Sequence, residues 1–200
     1  MNAVGVTDLT NATEQAVVLS GALEQPTVVC GALAMAAHGY RRETSDVDIV
    51  LAVVVGGPSG DELESVAQEM GLTLRAKHGF GGYDLRAGDV RIDVLTLDRD
   101  VPTLVPEAVK EAVDSDRRML LFGHDVFVVS LGHLIAMKLI AERKKDIADI
   151  VELIKVRLDA GQWADDRAAV KEVVTRHLGW YAARKVDDLV LEARAEWAGR

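Results

Sequence analysis

The sequence predicts an α/β fold, with a mixed sheet over residues 1-129 followed by a helical C-terminal region over residues 130-200. Short runs of alternating or continuous apolar residues mix with helix-period segments up to about residue 130, which indicates a sheet covered by helices. From Leu131 onward the pattern is helical almost to the end. Hydrophobic residues make up 49% and aromatic residues only 4%, so the core is built from Val, Leu, Ile and Ala. A chain of 200 residues holds one substantial domain, or a compact domain with a helical appendage.

The elements follow in order. Asn11 to Leu23 places Ala12, Ala16, Leu19 and Leu23 at helical spacing. Thr27 to Cys30 reads as a short buried strand ending at Gly31, and the Ala-rich run Ala32 to His38 as a helix stopped by Gly39. Ser45 to Val55 is a strand opening on Asp46 and Asp48. The loop Gly56-Gly57-Pro58-Ser59-Gly60 leads into a helix over Asp61 to Met70. Leu72–Lys77, Tyr83–Arg86 and Val90–Leu95 read as strands, the first two joined by Gly79-Phe80-Gly81-Gly82. Pro102 to Val113 is helical, and Arg118–Phe122 with Asp125–Val129 forms a closing hairpin. Helices are then predicted over Leu131–Arg143, Lys145–Asp159, Asp165–His177 and Ala182–Trp197.

Composition narrows the function classes. The longest apolar runs, such as Ile49 to Val55, fall far short of the ~20 residues that cross a bilayer. The first residues carry little positive charge and show no signal-peptide pattern, and the single Cys suits a reducing compartment, so a cytoplasmic protein with no membrane partner is expected. The net charge of -9 argues against an extended nucleic-acid footprint, which needs a basic surface to neutralise phosphates. Arg75, Lys77, Arg86 and Arg91 leave room for a local basic patch and contact with one RNA end.

The chemistry concentrates between Gly31 and Ile49. Side chains alternate along a strand, so Asp46 and Asp48 point the same way. Two carboxylates about 4 Å apart repel by roughly 4 kcal/mol at an effective dielectric of about 20. A divalent cation reverses that balance, and Mg²⁺ in particular takes one or two carboxylates together with substrate phosphates. In Arg91-Ile92-Asp93-Val94-Leu95, a third acid sits between apolar neighbours, and it joins the cluster if its strand pairs beside the first. Such a site suits metal-assisted phosphoryl chemistry, with Asp93 accepting the proton of an attacking hydroxyl.

The run Gly31-Ala32 through His38-Gly39 to Arg42-Glu43-Thr44-Ser45-Asp46-Val47-Asp48 resembles the signature of the polymerase beta-like nucleotidyltransferase superfamily. It is most similar to the small members grouped with abortive-infection toxins, which share Gly-Gly-x-Ala, His-Gly and Arg-x-Thr-x-Asp-x-Asp. Leu134-Ile135-Ala136-Met137-Lys138-Leu139, with Arg143, Lys145-Asp146 and Asp149 after it, is similar to their downstream helical motif. The resemblance spans about residues 27–55, 88–96 and 130–154.

The resemblance implies a polymerase beta-like core and transfer of a nucleoside monophosphate from a nucleoside triphosphate to an acceptor hydroxyl. The acceptor it implies is tRNA, a protein or a small molecule, and an antitoxin is an implied partner. Asp46, Asp48 and Asp93 would be the catalytic and metal-binding residues for Mg²⁺ or Mn²⁺, and Gly31, Ala32, Arg42, Thr44 and Lys138 would face the nucleotide. Ala32 departs from the family pattern, which has glycine there, or serine in proven transferases. The alternative is a catalytically silent nucleotide- or partner-binding protein with the same fold.

Several of these residues also have plain structural readings. Gly31 suits a tight strand-to-helix turn, and Lys138 suits a snorkelling lysine at the edge of the core. Arg42 either holds phosphate or braces Asp46. Arg143, Lys145, Asp146 and Asp149 read as helix-surface ion pairs or inter-helix struts. Cys30 reads as core, His38 as a packed or hydrogen-bonded side chain, and the three tryptophans as helix-packing residues.

Overall fold

The computed structural model describes residues 6–50, 60–77, 82–96 and 101–198. Of the two predicted connections, residues 56–59 and 79–81 therefore lie outside the described residues, as do residues 51–55 of the strand expected to reach Val55. The chain divides into two compact units, Met1–Ala34 with Arg42–Val129, and Met35–Arg41 with Ser130–Arg200. The division is not a single cut in the sequence, because a short upstream segment belongs to the second unit.

The first unit is built on a seven-stranded mixed sheet. Its strands are β1 (Val28–Val29), β2 (Asp46–Val50), β3 (Thr73–Lys77), β4 (Tyr83–Ala87), β5 (Val90–Leu95), β6 (Arg118–Leu121) and β7 (His124–Val128). They lie in the order β3-β4-β5-β2-β1-β7-β6. β2 runs parallel to β5, and β1 parallel to β7, while the remaining neighbours are antiparallel. The helices of this unit are α1 (Val6–Ala22), α3 (Gly60–Glu69) and α4 (Leu104–Asp114), and α2 (Gly31–Ala37) runs from it into the second unit.

Burial follows the apolar periodicity. Ala12, Ala16 and Leu19 of α1 are fully buried, as helical spacing requires of one face. α1 lies against β2 and β5, where Val47, Ile49, Ile92 and Val94 are also fully buried. Between them on the strands stand Asp46, Asp48, Arg91 and Asp93, which period-two alternation turns to the other face. Cys30 is buried core.

The second unit is helical. α5 (Leu131–Ala141), α6 (Lys144–Asp159) and α7 (Trp163–Ala198) pack on one another. The Ser130 hydroxyl caps α5 by accepting from the His133 N–H at 3.3 Å. The two helices expected at the end of the chain are both present: α7 is two helical segments that meet at Gly179, whose φ of 82° is open to glycine. Trp180 heads the segment after that break with 67% of its surface exposed, so it does not pack helices as expected, unlike the buried Trp163. Arg184 lies over its ring at 5.8 Å from the centroid.

Candidate functional site

The site is assembled by strand register. Asp48 pairs with Asp93 and Asp46 with Arg91 across the parallel β2–β5 ladder. Directly paired residues share a face, so the two carboxylates of β2 and the one of β5 meet. Oxygen atoms of Asp46, Asp48 and Asp93 all lie within 4.8 Å of one another. Asp93 is buried, and Asp46 and Asp48 are half-buried.

Local structure fixes each acid. The Thr44 hydroxyl stands 2.7 Å from Asp46 Oδ1 and accepts the Asp46 backbone N–H at 3.4 Å, which orients the first carboxylate from the turn before β2. The Cys30 N–H donates to the Asp48 carbonyl at 3.0 Å and ties the end of β1 to β2. That tie brings Gly31 against the Asp48 side chain. A Cβ at Gly31 would stand 1.8 Å from Asp48 Oδ2, and the backbone there has a φ of +56°. Only glycine satisfies both conditions, so the Gly31 position is where the second carboxylate finds its space.

Arg91 is a member of this cluster that sequence reasoning placed in a loose basic patch. One of its terminal nitrogens lies 2.5 Å from Asp46 Oδ2 and 3.0 Å from Asp93 Oδ2. Burial acts to lower the Arg91 pKa, but the hydrogen bond to Asp46 and the charges of Asp93, Asp46 and Asp84 outweigh it and raise the value. The signal in the sequence was its position two residues before Asp93, on the same face of the same strand.

Ala32 is buried in the first turn of α2. Arg42 is exposed, and its Nη1 donates to the Glu43 carbonyl at 3.0 Å. Lys138 belongs to the second unit, where it is 5% exposed with Nζ 2.6 Å from Asp149 Oδ2 and 3.6 Å from Asp146 Oδ1. Asp146 also accepts from Arg143 at 2.5 Å. Asp146 and Asp149 are both buried, so this group is an inter-helix strut between α5 and α6 rather than a set of surface pairs. Burial acts to raise the Asp146 pKa, but the Arg143 hydrogen bond with the Lys138, Arg143 and Lys145 charges prevails and lowers it.

Comparison with solved structures decides the fold. The solution structure of antibiotic-resistance factor ANT(2'')-Ia, a nucleotidyltransferase, matches 98% of this chain and 96% of its own with a TM-score of 0.52 at 15% identity. The chain has a nucleotidyltransferase fold. The crystal structure of ANT(2")-Ia in complex with adenylyl-2"-tobramycin is also similar, with a TM-score of 0.49 at 16% identity over 94% of this chain and 98% of that one. No family model matches. Among curated proteins, an 86-residue stretch is 34% identical to imidazoleglycerol-phosphate dehydratase of Gluconobacter oxydans (strain 621H), over 42% of this chain and 43% of that protein. The chain thus spans less than half the length of the curated relative it matches, and no family follows from that match.

The donor set of the site fits a hard divalent cation. Its ligands would be carboxylate oxygens alone, with no His or Cys among the three, which suits Mg²⁺ or Mn²⁺ better than zinc. Among the described residues, no helix is long and apolar enough to cross a membrane.

Proposed function

We propose that this chain is a metal-dependent nucleotidyltransferase that moves a nucleoside monophosphate from a nucleoside triphosphate to an acceptor hydroxyl. The observation that carries this reading is the meeting of Asp46, Asp48 and Asp93, with Gly31 leaving space for the Asp48 carboxylate. Asp46 and Asp48 would hold Mg²⁺ or Mn²⁺ with Asp93, and Thr44 keeps Asp46 in orientation. The chemistry the cation supplies is neutralisation of phosphate charge that would otherwise be repelled by the cluster. Asp93 accepts the proton as the acceptor oxygen bonds to the α-phosphorus and the bond to pyrophosphate breaks. Arg42, exposed just ahead of Thr44, is the basic side chain that would meet a phosphate, whereas the Lys138 amine serves the strut. The acceptor is an RNA end, a protein or a small molecule, and resemblance to abortive-infection toxins adds an antitoxin as a partner to seek.

A second reading is favoured by a specific observation. Arg91 already bridges two of the three carboxylates, and Ala32 offers no hydroxyl to phosphate. A protein that binds nucleotide or a partner without transfer would look like this too.

The test incubates pure protein with Mg²⁺ or Mn²⁺ and each α-labelled nucleoside triphosphate. Total RNA, cell lysate and a set of aminoglycosides are offered as acceptors, with the Asp46→Asn/Asp48→Asn variant as control. Label transferred by the wild type alone supports the enzyme and reveals its acceptor class. Nucleotide binding with no transferred label supports the silent binder.

A further inference from the structure

Two charged side chains beside the cluster have no part in the transfer reaction. Register places them. Across β2, β5 and β4, one row of paired residues reads Asp48, Asp93, Asp84, and the next reads Asp46, Arg91, Arg86. All six therefore emerge on one face of the sheet. Arg91 sits with its guanidinium on Asp46 Oδ2 and Asp93 Oδ2. Asp84, on the far side of Asp93, has a buried oxygen, Oδ1, with no hydrogen-bond partner among the described residues. Buried carboxylate oxygens are normally satisfied, so each exception calls for an account.

The positions of Arg91 and Asp84 supply one. They are diagonal neighbours on adjacent antiparallel strands, where backbones about 7–8 Å apart are within reach of a long side chain. Asp84 already contributes to holding the Arg91 charge. A divalent cation on Asp46 and Asp93 would take the oxygens that Arg91 now uses and would repel the guanidinium.

We propose that Arg91 is a displaceable internal counter-ion with two stations. It bridges Asp46 and Asp93 when no divalent cation is bound, and it moves to Asp84 Oδ1 when one binds. Arg91 and Asp84 are thus positioning residues that together set the affinity of the cluster for its cation. The inference rests on the reading of the three aspartates as a metal centre.

The experiment measures Mn²⁺ dissociation constants, by electron paramagnetic resonance of free Mn²⁺, on the full chain without nucleotide. The proteins are wild type, Arg91→Gln, Asp84→Asn and the double variant. Removing the competitor makes Arg91→Gln bind Mn²⁺ on the order of tenfold more tightly, and removing the second station makes Asp84→Asn bind on the order of tenfold more weakly. In the Arg91→Gln background, Asp84→Asn changes the constant by less than about twofold, because no guanidinium needs the station. Equal weakening in both backgrounds would overturn the proposal, since Asp84 would then act on the ion directly. Arg91→Met keeps the apolar stem without the charge and gives a second comparison should Arg91→Gln unfold. It too must bind Mn²⁺ more tightly than wild type, and weaker or unchanged binding sinks the idea. Asp46→Asn/Asp48→Asn separates the two failures. If it leaves Mn²⁺ binding intact, the metal-centre reading falls; if it abolishes binding while the arginine variants show no gain, only the two-station proposal falls.

Discussion

Gly31→Ala tests whether the glycine exists for the Asp48 carboxylate or only for the turn. The new Cβ would stand 1.8 Å from Asp48 Oδ2, 2.4 Å from its Cγ and 2.8 Å from its Cβ, all inside the 3.0 Å that real contacts respect. Rotation moves the carboxylate oxygen away, but the Asp48 Cβ is fixed to β2, so the strand or the start of α2 must shift as well. A φ of +56° adds the left-handed penalty, about 1–2 kcal/mol for a residue with a Cβ. Denaturant unfolding should therefore report a loss of at least about 1–2 kcal/mol. Mn²⁺ affinity should fall on the order of 10–100-fold, the range seen when groups that orient a ligand are changed. A role in the turn alone predicts the stability loss without the second effect. Mn²⁺ binding within about twofold of wild type, in a variant that stays folded, refutes the reasoning.

Other expectations follow from the same geometry. Asp93→Asn should lower nucleotidyl transfer by at least about 10²-fold, the lower end for removing a general base, with nucleotide binding retained in an equilibrium assay. Lys138→Ala leaves Asp149 and Asp146 buried without their shared cation and should cost about 3–5 kcal/mol in denaturant unfolding; a loss under about 1 kcal/mol would show that the strut is not structural. The folded-state pKa of Asp146 is depressed, so its contribution to stability is complete above the unfolded value of about 3.9 and is lost as pH falls through the folded value. The stability gap between wild type and Asp146→Asn should accordingly be constant near neutrality and close as pH drops below about 4, which unfolding curves at several pH values would reveal. Trp180→Ala removes an exposed ring and should change stability by less than about 0.5 kcal/mol.

The sequence made the alternation of β2 and β5 visible because apolar and acidic residues take strict turns there: Val47 and Ile49 between acids, Ile92 and Val94 around Asp93. The helical spacing of Ala12, Ala16 and Leu19 was equally plain. Which strands lie together was not, because pairing is decided by long-range packing that no local pattern encodes. The place of Arg91 was lost for that reason, since its meaning depends on Asp46 standing opposite it. Asp84 was invisible as a neighbour of the cluster until β4 was seen beside β5. Lys138, Asp146 and Asp149 have polar side chains that favour a surface reading, and only mutual pairing allows their burial. The break at Gly179 was marked by a lone glycine, whereas the exposure of Trp180 next to it had no local signal.

A sheet that sets Asp48 directly opposite Asp93 works against itself, because like charges facing each other across a ladder are destabilising. What holds the register is the opposite face of the same two strands. Val47 stands opposite Ile92 and Ile49 opposite Val94, and all four side chains are fully buried. A slip of β2 by one residue would turn Val47 and Ile49 to the other side, at a cost of about 3–6 kcal/mol at 1.5–3 kcal/mol each, and would carry Asp46 and Asp48 into the apolar core at a further cost. Repulsion between two half-screened carboxylates is about 4 kcal/mol, so the apolar face wins and the acids are forced together. Arg91 then relieves part of the repulsion from within the same strand, without asking the register to yield. Burial on the apolar face enforces the cluster, and one arginine offsets only part of its charge, so the three acids stand together with negative charge to spare for a cation.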